Sequence, residues 1–214
     1  MKLLSVNTGL TQSVQDGARL RRTAIFKTPR SGPVMASRSG LDADEQADRK
    51  VHGGADKAVY AFPFEHYAFY GRLLERDDFS FGQFGENLTI DGFLEDQVFI
   101  GDRLKIGEAL FEVSQPRIPC SKLALRLNDP RIVQAMLNTL RTGFYLRVLE
   151  EGRLEAGDII EHFRAVGPSM TVSEVAALHS IDTQDFKGAR KASRLGALSE
   201  GWKKTFANRS NDSA

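Results

Sequence analysis

The sequence has 214 residues, of which 41% are hydrophobic and 27% are charged. These values are typical of one folded domain with a small appendage, and they exclude a disordered chain or two full-sized domains. The 29 basic and 28 acidic residues give a net charge of +1, so the composition shows no overall attraction for nucleic acid or a membrane surface. The sequence contains neither a secretory signal nor a run long enough to span a membrane, and we expect a cytoplasmic protein.

From residue 2 to about residue 165 the chain contains mostly short apolar runs with strand-like alternation and Gly-Asp turns. The pattern predicts strands over residues 2–9, 24–28, 58–62, 103–107, 111–114, 143–149 and 159–163. Apolar residues at helical spacing predict two helices, over residues 64–76 and 130–140. The predicted fold class is therefore mainly β with α: a barrel or closed sheet with flanking helices.

A second unit is predicted to begin at about residue 166, because Gly-Pro at 167–168 interrupts the chain and the remainder has a helical pattern. Thr171 and Glu174 have the spacing of a capping box, and Asp182 and Ser199 are candidate N-caps of two further helices. Seven basic and five acidic residues give this three-helix unit a net charge of +2, which is too weak for a nucleic-acid footprint. The predicted division is residues 1–165 and residues 166–214.

The only cysteine, Cys120, follows a predicted strand in the segment Gln-Pro-Arg-Ile-Pro-Cys-Ser-Lys. The two prolines stiffen the backbone before the thiol, and a stiff loop can aim a side chain. Arg117 and Lys122 lie three and two residues away, and nearby cations favour the thiolate form, which acts as a nucleophile or a soft-metal ligand. From the residues alone, this interpretation and an inert buried cysteine have equal support.

The segment from Asp44 to Val59 changes from charged to apolar at a His-Gly-Gly turn formed by His52, Gly53 and Gly54. Two glycines let the backbone approach a ligand and form a nest of amides for anionic oxygen, and the histidine could donate to the same ligand. The Gly53-Gly54 pair by itself is better explained as a surface turn in which the glycines supply positive φ.

Polar residues also flank two further predicted strands. Glu86 and Asn87 follow a glycine, and Asn87 offers the donor and acceptor that suit a heterocycle edge. Both residues can equally cap a turn. Arg141 precedes Gly143 and either contacts an anion or opens the next strand. The sequence shows no Walker A loop, no GxGxxG run and no zinc-ligand spacing.

Five segments in this order resemble the MOSC family, named for the molybdenum cofactor sulfurase C-terminal domain, and in particular its YiiM-like bacterial members. The resemblance covers residue 1 to about residue 165, and the remainder resembles the three-helix module that these members append. One departure is Ala43, which stands where similar proteins often carry glycine. The matching segments are Asp44 to Val59, Phe84 to Leu88, Gly101 to Leu104, Gln115 to Leu123 and Gly143 to Leu149.

The resemblance implies a MOSC-type closed β-barrel that binds a molybdopterin-type molybdenum cofactor, with Cys120 as the metal ligand or as the group that handles cofactor sulfur. It implies reduction of small N-hydroxylated compounds such as 6-hydroxylaminopurine, with Cys120 as the catalytic residue and Arg117 and Lys122 holding the thiolate or the cofactor phosphate. The further cofactor-binding candidates are His52, Gly53, Gly54, Glu86, Asn87 and Arg141.

The sequence has no flavin, haem or iron-sulfur motif, so a separate reductase is expected to supply electrons. The basic three-helix unit either docks that reductase or closes over the pocket, and a homodimer is one assembly we consider.

Two other hypotheses remain at this point. In one, Cys120 carries a persulfide for cofactor or sulfur transfer without substrate turnover. In the other, the helices bind nucleic acid, which their weak charge disfavours.

Overall fold

The protein has a mixed α/β fold with a large sheet and six helices in the described residues. The structure is a computed structural model that describes residues 1–47 and 53–211, and residue 211 is described by its backbone alone. The strands are β1 (Lys2–Thr8), β2 (Gln12–Asp16), β3 (Arg19–Thr23), β4 (Thr28–Pro29), β5 (Val34–Ser37), β6 (Gly40–Leu41), β7 (Val59–Pro63), β8 (Leu88–Asp91), β9 (Arg103–Ile106), β10 (Ala109–Pro116), β11 (Phe144–Glu150), β12 (Gly152–Leu154) and β13 (Ile160–Phe163). The helices are α1 (Glu65–Leu74), α2 (Ser121–Leu127), α3 (Arg131–Thr139), α4 (Val172–Ser180), α5 (Phe186–Ser193) and α6 (Glu200–Asn211), and a 3-10 turn covers Ala55–Lys57.

The main sheet has eight strands in the order β13-β9-β10-β11-β7-β8-β1-β4. Strand β7 pairs in parallel with β8, and the other neighbours in this sheet are antiparallel. The predicted strands over residues 2–9, 58–62, 103–107, 111–114, 143–149 and 159–163 are confirmed. The central strands β10 and β11 place the segment before Cys120 beside the strand that follows Arg141.

In the described residues the ladders give a linear strand order, with β13 and β4 at its two ends. The two sides of the sheet nevertheless meet at an isolated antiparallel bridge between Lys2 and Ile159. Next to this bridge, the Leu3 N–H donates to the Asp158 carbonyl at 2.9 Å and the Gly157 N–H donates to the Leu3 carbonyl at 2.7 Å.

The strand predicted over residues 24–28 is wrong. Residues 24–27 are irregular, because the Lys27 N–H bonds the Ile25 carbonyl at 3.0 Å and the Ile25 N–H bonds Thr23 Oγ1 at 3.2 Å. These local bonds turn the chain and are incompatible with an extended ladder. The preceding residues form the β2–β3 hairpin instead.

Two helices pack against the sheet where helical spacing predicts them, as α1 and α3. Their buried faces join an aromatic cluster centred on Phe62, whose ring lies 4.6 Å from that of Phe84 and 6.4 Å from that of Tyr70. Burial of such rings is a large apolar contribution, and it fixes these helices relative to the sheet. The same cluster includes Leu123 and Leu127 of α2, the helix that follows Cys120.

The last three helices form where predicted, with one correction. Thr171 and Glu174 make both hydrogen bonds of a capping box at the start of α4. Helix α5 begins later than expected, because Asp185 and not Asp182 accepts the cap hydrogen bond, from the Gly188 N–H at 2.8 Å. The Asp185 N–H donates to the Asp182 carbonyl at 3.0 Å, so residues 182–185 form a turn before the helix.

These three helices share the main hydrophobic core with the sheet. Buried residues of all three, such as Val175, Ala189 and Phe206, belong to the same cluster as Phe111 and Val113 of β10. None of the helices in the described part of the chain has the length and apolar run needed to cross a bilayer.

Candidate functional site

The single thiol lies at the junction between β10 and α2. Strand β10 ends at Pro116, and Cys120 is the extended residue immediately before α2, with its carbonyl accepting from the Leu123 N–H at 2.9 Å. Its side chain is partly exposed. The bend forced by the prolines and the anchored helix start together fix the direction of the thiol.

The thiol opens onto a cavity of about 100 Å³, which we call the cationic cavity. Its walls come from the chain after β3, the turn before the 3-10 segment, strands β7 and β11, and the loop of Cys120. The lining residues are Thr23, Ala24, Ile25, Lys27, Asp44, Glu45, Gln46, Ala47, Lys57, Ala58, Tyr60, Gly85, Asn87, Arg117, Cys120, Lys122 and Tyr145.

Arg117 is the most unusual charge in this cavity. The side chain is buried, with 5% exposure, and its guanidinium lies 5.3 Å from the centre of the Tyr60 ring and 3.9 Å from Met136 Sδ. Within residues 1–47 and 53–211, no carboxylate lies within ion-pair distance of Arg117. Buried cations are normally paired, because removing a charge from water is costly. Among the described residues, the cavity therefore presents beside the thiol a buried cation that no carboxylate neutralises.

A second buried cation, Lys27, is neutralised within the protein. Its ammonium is hydrogen bonded to Asp44, whose side chain also accepts from the Gly9 N–H at 2.9 Å and from Asn87 Nδ2 at 2.9 Å. Burial lowers the pKa of Lys27, and the Asp44 charge opposes that shift. The other acidic lining residue, Glu45, accepts from the Thr11 N–H at 2.7 Å. Both carboxylates are thus engaged away from Arg117.

Asn87 lies in the wall of the cationic cavity, and its side-chain amide forms hydrogen bonds within the fold. Its Oδ1 accepts from the Tyr60 N–H at 3.0 Å, and its Nδ2 donates to the Asn7 carbonyl as well as to Asp44. Asn87 therefore connects β7 to β1 and orients Asp44 toward Lys27.

The backbone turn beside Asp44 contains Ala43, which adopts φ of +59°. This left-handed conformation costs a residue with a Cβ about 1–2 kcal/mol, a cost that glycine would not carry. The Asp44 N–H bonds the Leu41 carbonyl at 3.1 Å across this turn. The turn is therefore retained despite the alanine, and it carries Asp44 into the wall.

Glu86 does not line the cationic cavity. It is fully buried and accepts hydrogen bonds from the Gly82 N–H at 2.8 Å, the Phe84 N–H at 3.0 Å, Thr89 Oγ1 at 2.9 Å and the Tyr67 hydroxyl. Burial raises the pKa of Glu86, and these donors oppose that shift. Glu86 therefore caps a turn, which is one of the two roles that the sequence allowed. Its carboxylate binds the N–H groups of the loop over residues 82–86.

We expect Glu86→Gln to lower the free energy of unfolding by about 2–4 kcal/mol, because hydrogen bonds to a buried charged group are strong and the amide NH₂ would face N–H donors. Urea unfolding monitored by circular dichroism measures the change. Glu161→Gln, an exposed change on β13, is the control, with an effect within about 0.5 kcal/mol. Unchanged stability combined with lost ligand binding would place Glu86 in the binding site and overturn this structural role.

The glycines of the predicted His-Gly-Gly turn lie beside the cationic cavity but outside its lining. The Gly54 N–H donates to Gln46 Oε1 at 3.1 Å, and Gln46 Nε2 donates to the Lys57 carbonyl at 3.2 Å. Gln46 and Lys57 line the cavity, so Gly54 supports the wall indirectly. Gly53 precedes it and is half-buried. His52 lies outside the described residues.

Arg141 is not brought together with Cys120 in the cationic cavity. Its guanidinium is exposed and lies 4.1 Å from the centre of the Phe69 ring. It lines a different hollow, together with the buried pair His66 and Glu95. Lys122, in contrast, lines the cationic cavity together with Arg117 and Cys120.

Several lining residues were not predicted from the sequence. The only sequence feature that marks Lys27 as a site residue is that it follows an apolar stretch. Tyr60 and Tyr145 were interpreted solely as strand residues. Burial raises the pKa of both tyrosines, so their phenols stay protonated at neutral pH. A second hollow of about 300 Å³, here called the helix-side cavity, is also lined by Cys120. Its lining residues are Lys57, Gln115, Ile118, Pro119, Cys120, Tyr145, His179, Gly201, Trp202 and Thr205.

Comparison with known families and proteins gives consistent matches. The model of the MOSC domain matches residues 48–161, and that of the YiiM-like 3-alpha helix domain matches residues 170–209. Protein YiiM of Escherichia coli (strain K12) is 37% identical over 209 residues, 96% of this chain and 91% of that protein. The crystal structure of YiiM from Geobacillus stearothermophilus has a TM-score of 0.82 and 33% identity, and the match covers 98% of both chains. A protein named Reductase from Gibberella moniliformis is 35% identical over 176 residues, 81% of this chain and 31% of that protein.

Proposed function

Because the chain belongs to the MOSC domain family, as a YiiM-like member with the 3-alpha helix domain, we propose that it binds a molybdopterin-type molybdenum cofactor and reduces N-hydroxylated compounds. The observation that carries the proposal is the buried Arg117, which forms no ion pair within residues 1–47 and 53–211 and lines the same cavity as Cys120. A cavity with this pair of groups suits a ligand that is both anionic and able to bind a thiolate.

The donor set fits such a cofactor. Arginine binds phosphate through paired, charge-assisted hydrogen bonds, and a phosphate would supply the negative charge that Arg117 lacks. Lys122 lines the same cavity and adds a second cation. Thiolate is a soft ligand for a metal, and Cys120 would hold the molybdenum. In this proposal Arg117 and Lys122 bind the anionic end, whereas Lys27, Asp44 and Asn87 maintain the shape of the wall.

When bound, the cofactor would supply two-electron redox chemistry at the metal. The net reaction takes an N–OH group, two electrons and two protons to an N–H group and water, with cleavage of the N–O bond. The electrons would come from a separate reductase. The relative named Reductase supports a redox role, without identifying that partner.

The chain's own residues would orient the reactants and limit access of water. Cys120 lies at the wall common to both cavities, and Tyr145 lines both as well. The protonated phenol of Tyr145 can donate a hydrogen bond to a bound oxygen. The contact between the Arg117 guanidinium and the face of the Tyr60 ring, at 5.3 Å, would hold Arg117 in the cavity wall.

Several finer statements belong to the same proposal. We place the protein in the cytoplasm, we assign residues 1–165 to the MOSC domain and residues 166–214 to the helical module, and we expect a closed barrel. The bridge between Lys2 and Ile159 supports closure of the sheet. Gly53, Gly54 and Asn87 are assigned to support of the cofactor pocket, and His52 remains a candidate by its motif alone.

The test is to express the protein in otherwise identical hosts with and without cofactor synthesis. Molybdenum is measured by mass spectrometry, and conversion of 6-hydroxylaminopurine to adenine is measured with a chemically reduced viologen as donor. We expect molybdenum and turnover only with the cofactor, with a difference of at least about 100-fold in rate. Equal rates from both hosts would contradict the proposal. An added sulfur on Cys120 by protein mass, without turnover, would favour the persulfide carrier instead.

A further inference from the structure

A buried histidine and a buried glutamate, His66 and Glu95, form a pair that the proposed function does not use. His66 lies in the first turn of α1 and is 3% exposed, and Glu95 lies in the loop after β8 and is 4% exposed. The Nε2 atom of His66 lies 3.0 Å and 2.8 Å from the two carboxylate oxygens of Glu95. Because an ionised carboxylate can only accept hydrogen bonds, Nε2 is the donor in this pair.

The other ring nitrogen of His66 makes no hydrogen bond to the described residues. Nδ1 is buried, and the ring packs edge-on against Phe62, with 5.5 Å between the ring centres. His66 therefore serves Glu95 through Nε2 alone. A side chain that places an N–H donor at the position of Nε2 should be able to replace it.

Glu95 has a second donor, which belongs to the backbone of the turn before β11. The Gly143 N–H donates to Glu95 Oε1 at 2.6 Å. Gly143 has φ of +69°, and a Cβ at this position would lie 2.4 Å from the Ala61 carbonyl oxygen and 2.8 Å from a ring carbon of Tyr60. Gly143 is therefore held closely against β7 and fastened there by Glu95.

Two contacts lead from this turn to Arg117. The Arg117 N–H donates to the Gly143 carbonyl at 3.2 Å. The Tyr60 hydroxyl donates to the Thr142 carbonyl at 2.7 Å, and the centre of the Tyr60 ring lies 5.3 Å from the Arg117 guanidinium. The turn thus holds both the backbone of Arg117 and the ring against which its side chain rests.

The direction of the Arg117 guanidinium depends on these neighbours. Within residues 1–47 and 53–211 no carboxylate forms an ion pair with it, and its contact with Met136 Sδ is 3.9 Å long. Paired hydrogen bonds from arginine to a phosphate require the planar guanidinium to face the anion in one orientation. Loss of the support behind Arg117 should therefore weaken its binding of an anion.

Glu95 could also affect an anion site through its charge, and the two effects have opposite signs. A negative charge near the cavity repels an anion, so its removal would tighten anion binding. Loss of the hydrogen bond to Gly143 would loosen the turn and weaken anion binding. The sign of the change therefore separates the two roles.

We propose that Glu95, held by His66, is a positioning residue for Arg117, and that it acts through the turn of Thr142 and Gly143 to aim the guanidinium at the anionic end of the cofactor. This inference rests on the proposed function. It extends the site to two residues that line neither the cationic cavity nor the helix-side cavity.

The test measures binding of inorganic phosphate to the cofactor-free protein by isothermal titration calorimetry at constant ionic strength. The wild type should bind phosphate saturably, and Arg117→Met should weaken this binding. Glu95→Ala should raise the Kd at least about tenfold, as when a residue that orients a ligand-binding group is lost. Glu95→Gln should recover most of the affinity, because its amide oxygen can still accept from the Gly143 N–H.

Two substitutions of His66 provide a milder test if Glu95→Ala does not fold. The Nε2 atom of glutamine corresponds to His66 Nε2, whereas the Nδ2 atom of asparagine corresponds to the Nδ1 atom that makes no hydrogen bond. We expect His66→Gln to keep the wild-type Kd for phosphate. His66→Asn should raise it about threefold or more, as expected for coupled residues in one hydrogen-bond network.

The matched control is Glu65→Ala. Glu65 precedes His66 on α1, and its carboxylate likewise accepts from a glycine, the Gly92 N–H at 2.8 Å. That contact lies outside the turn that supports Arg117. Glu65→Ala should therefore leave the Kd for phosphate unchanged.

Three outcomes would overturn the positioning role. One is an unchanged or lowered Kd in folded Glu95→Ala, or in His66→Asn where Glu95→Ala does not fold. Another is a control that weakens phosphate binding as much as these variants do. The third is a wild type that binds no phosphate, or binds it equally well after Arg117→Met, because Arg117 would then hold no anion.

A measurement on cofactor-loaded protein separates this inference from the proposed function. Glu95→Ala should lower the molybdenum retained after dialysis about tenfold. Reduction of 6-hydroxylaminopurine by the wild type, together with an unchanged Kd for phosphate in Glu95→Ala, overturns the positioning role and leaves the function standing. Phosphate binding that responds as expected, without reduction by the loaded wild type, supports the positioning role and rejects the proposed reductase.

Discussion

Cys120→Ser is expected to lower the rate of N-hydroxy reduction by at least about 100-fold, more than the effect of losing a second-shell partner of a metal ligand. Serine keeps nearly the same size but replaces the soft sulfur by a hard oxygen, which is a poorer ligand for such a metal. The rate with reduced viologen and 6-hydroxylaminopurine measures the loss. The cations that surround the cavity are unchanged, so part of the cofactor should remain bound.

The control for this variant is its stability. Cys120 is partly exposed at the start of α2 and makes no side-chain cap hydrogen bond, so Cys120→Ser should change the free energy of unfolding by less than about 0.5 kcal/mol. A stable variant that retains wild-type turnover would show that Cys120 is a bystander. This outcome would contradict the persulfide hypothesis as well as the metal-ligand hypothesis, because both depend on the Cys120 sulfur.

Arg117→Met is expected to have two effects of opposite sign. Without cofactor the free energy of unfolding should rise by about 1–3 kcal/mol, because a buried charge that has no carboxylate partner in the described part of the chain is replaced by an apolar side chain of similar length. Retention of the cofactor after dialysis should fall about 10- to 100-fold, because a charge-assisted contact to its phosphate is lost. Urea unfolding and molybdenum content measure the two effects.

Arg76→Met is the control for Arg117. Arg76 is paired with Asp78 at 2.7 Å, donates to the Leu127 carbonyl at 2.9 Å and does not line the cationic cavity. Its loss should lower stability, not raise it, and should leave cofactor content unchanged. The contrary outcome is a variant that is less stable without cofactor and that, when loaded, keeps its molybdenum. Arg117 would then be a structural residue, and the assignment of the cationic cavity to the cofactor would lose its main support.

Local sequence signals predicted the parts of the fold that local chemistry determines. The capping box of Thr171 and Glu174 was confirmed because both of its hydrogen bonds join residues three positions apart. Strand alternation in β9 and β10 was equally clear, because one face of each strand is buried. The hairpin of β2 and β3 was missed because nearly all of its residues are exposed and charge obscures the alternation.

The site was predicted only in part, because its walls come from distant segments. Arg117 and Lys122 were identified by proximity in sequence to Cys120, and they do share its cavity. Glu86 was selected as a polar residue beside glycine, yet its partners are the N–H groups of its own loop. Trp202 gave no signal, since only the packing of α6 against the sheet brings its indole to the thiol's cavity.

The division of the chain into residues 1–165 and residues 166–214 stays a prediction. The helices of the second part bury Val175 and Phe206 in the same core as the sheet. Removal of this part would expose that core and remove one wall of the helix-side cavity. Single substitutions of the residues that line this wall are therefore the more informative way to examine its role.

The central claim is that the sulfur of Cys120 is a ligand of the molybdenum, and X-ray absorption at the molybdenum edge measures this most directly. The spectrum of the wild-type protein should require one more sulfur neighbour than the spectrum of the metal that remains in Cys120→Ser. Identical sulfur shells in the two proteins would contradict the account, because the metal would then be held by sulfur that does not come from this chain.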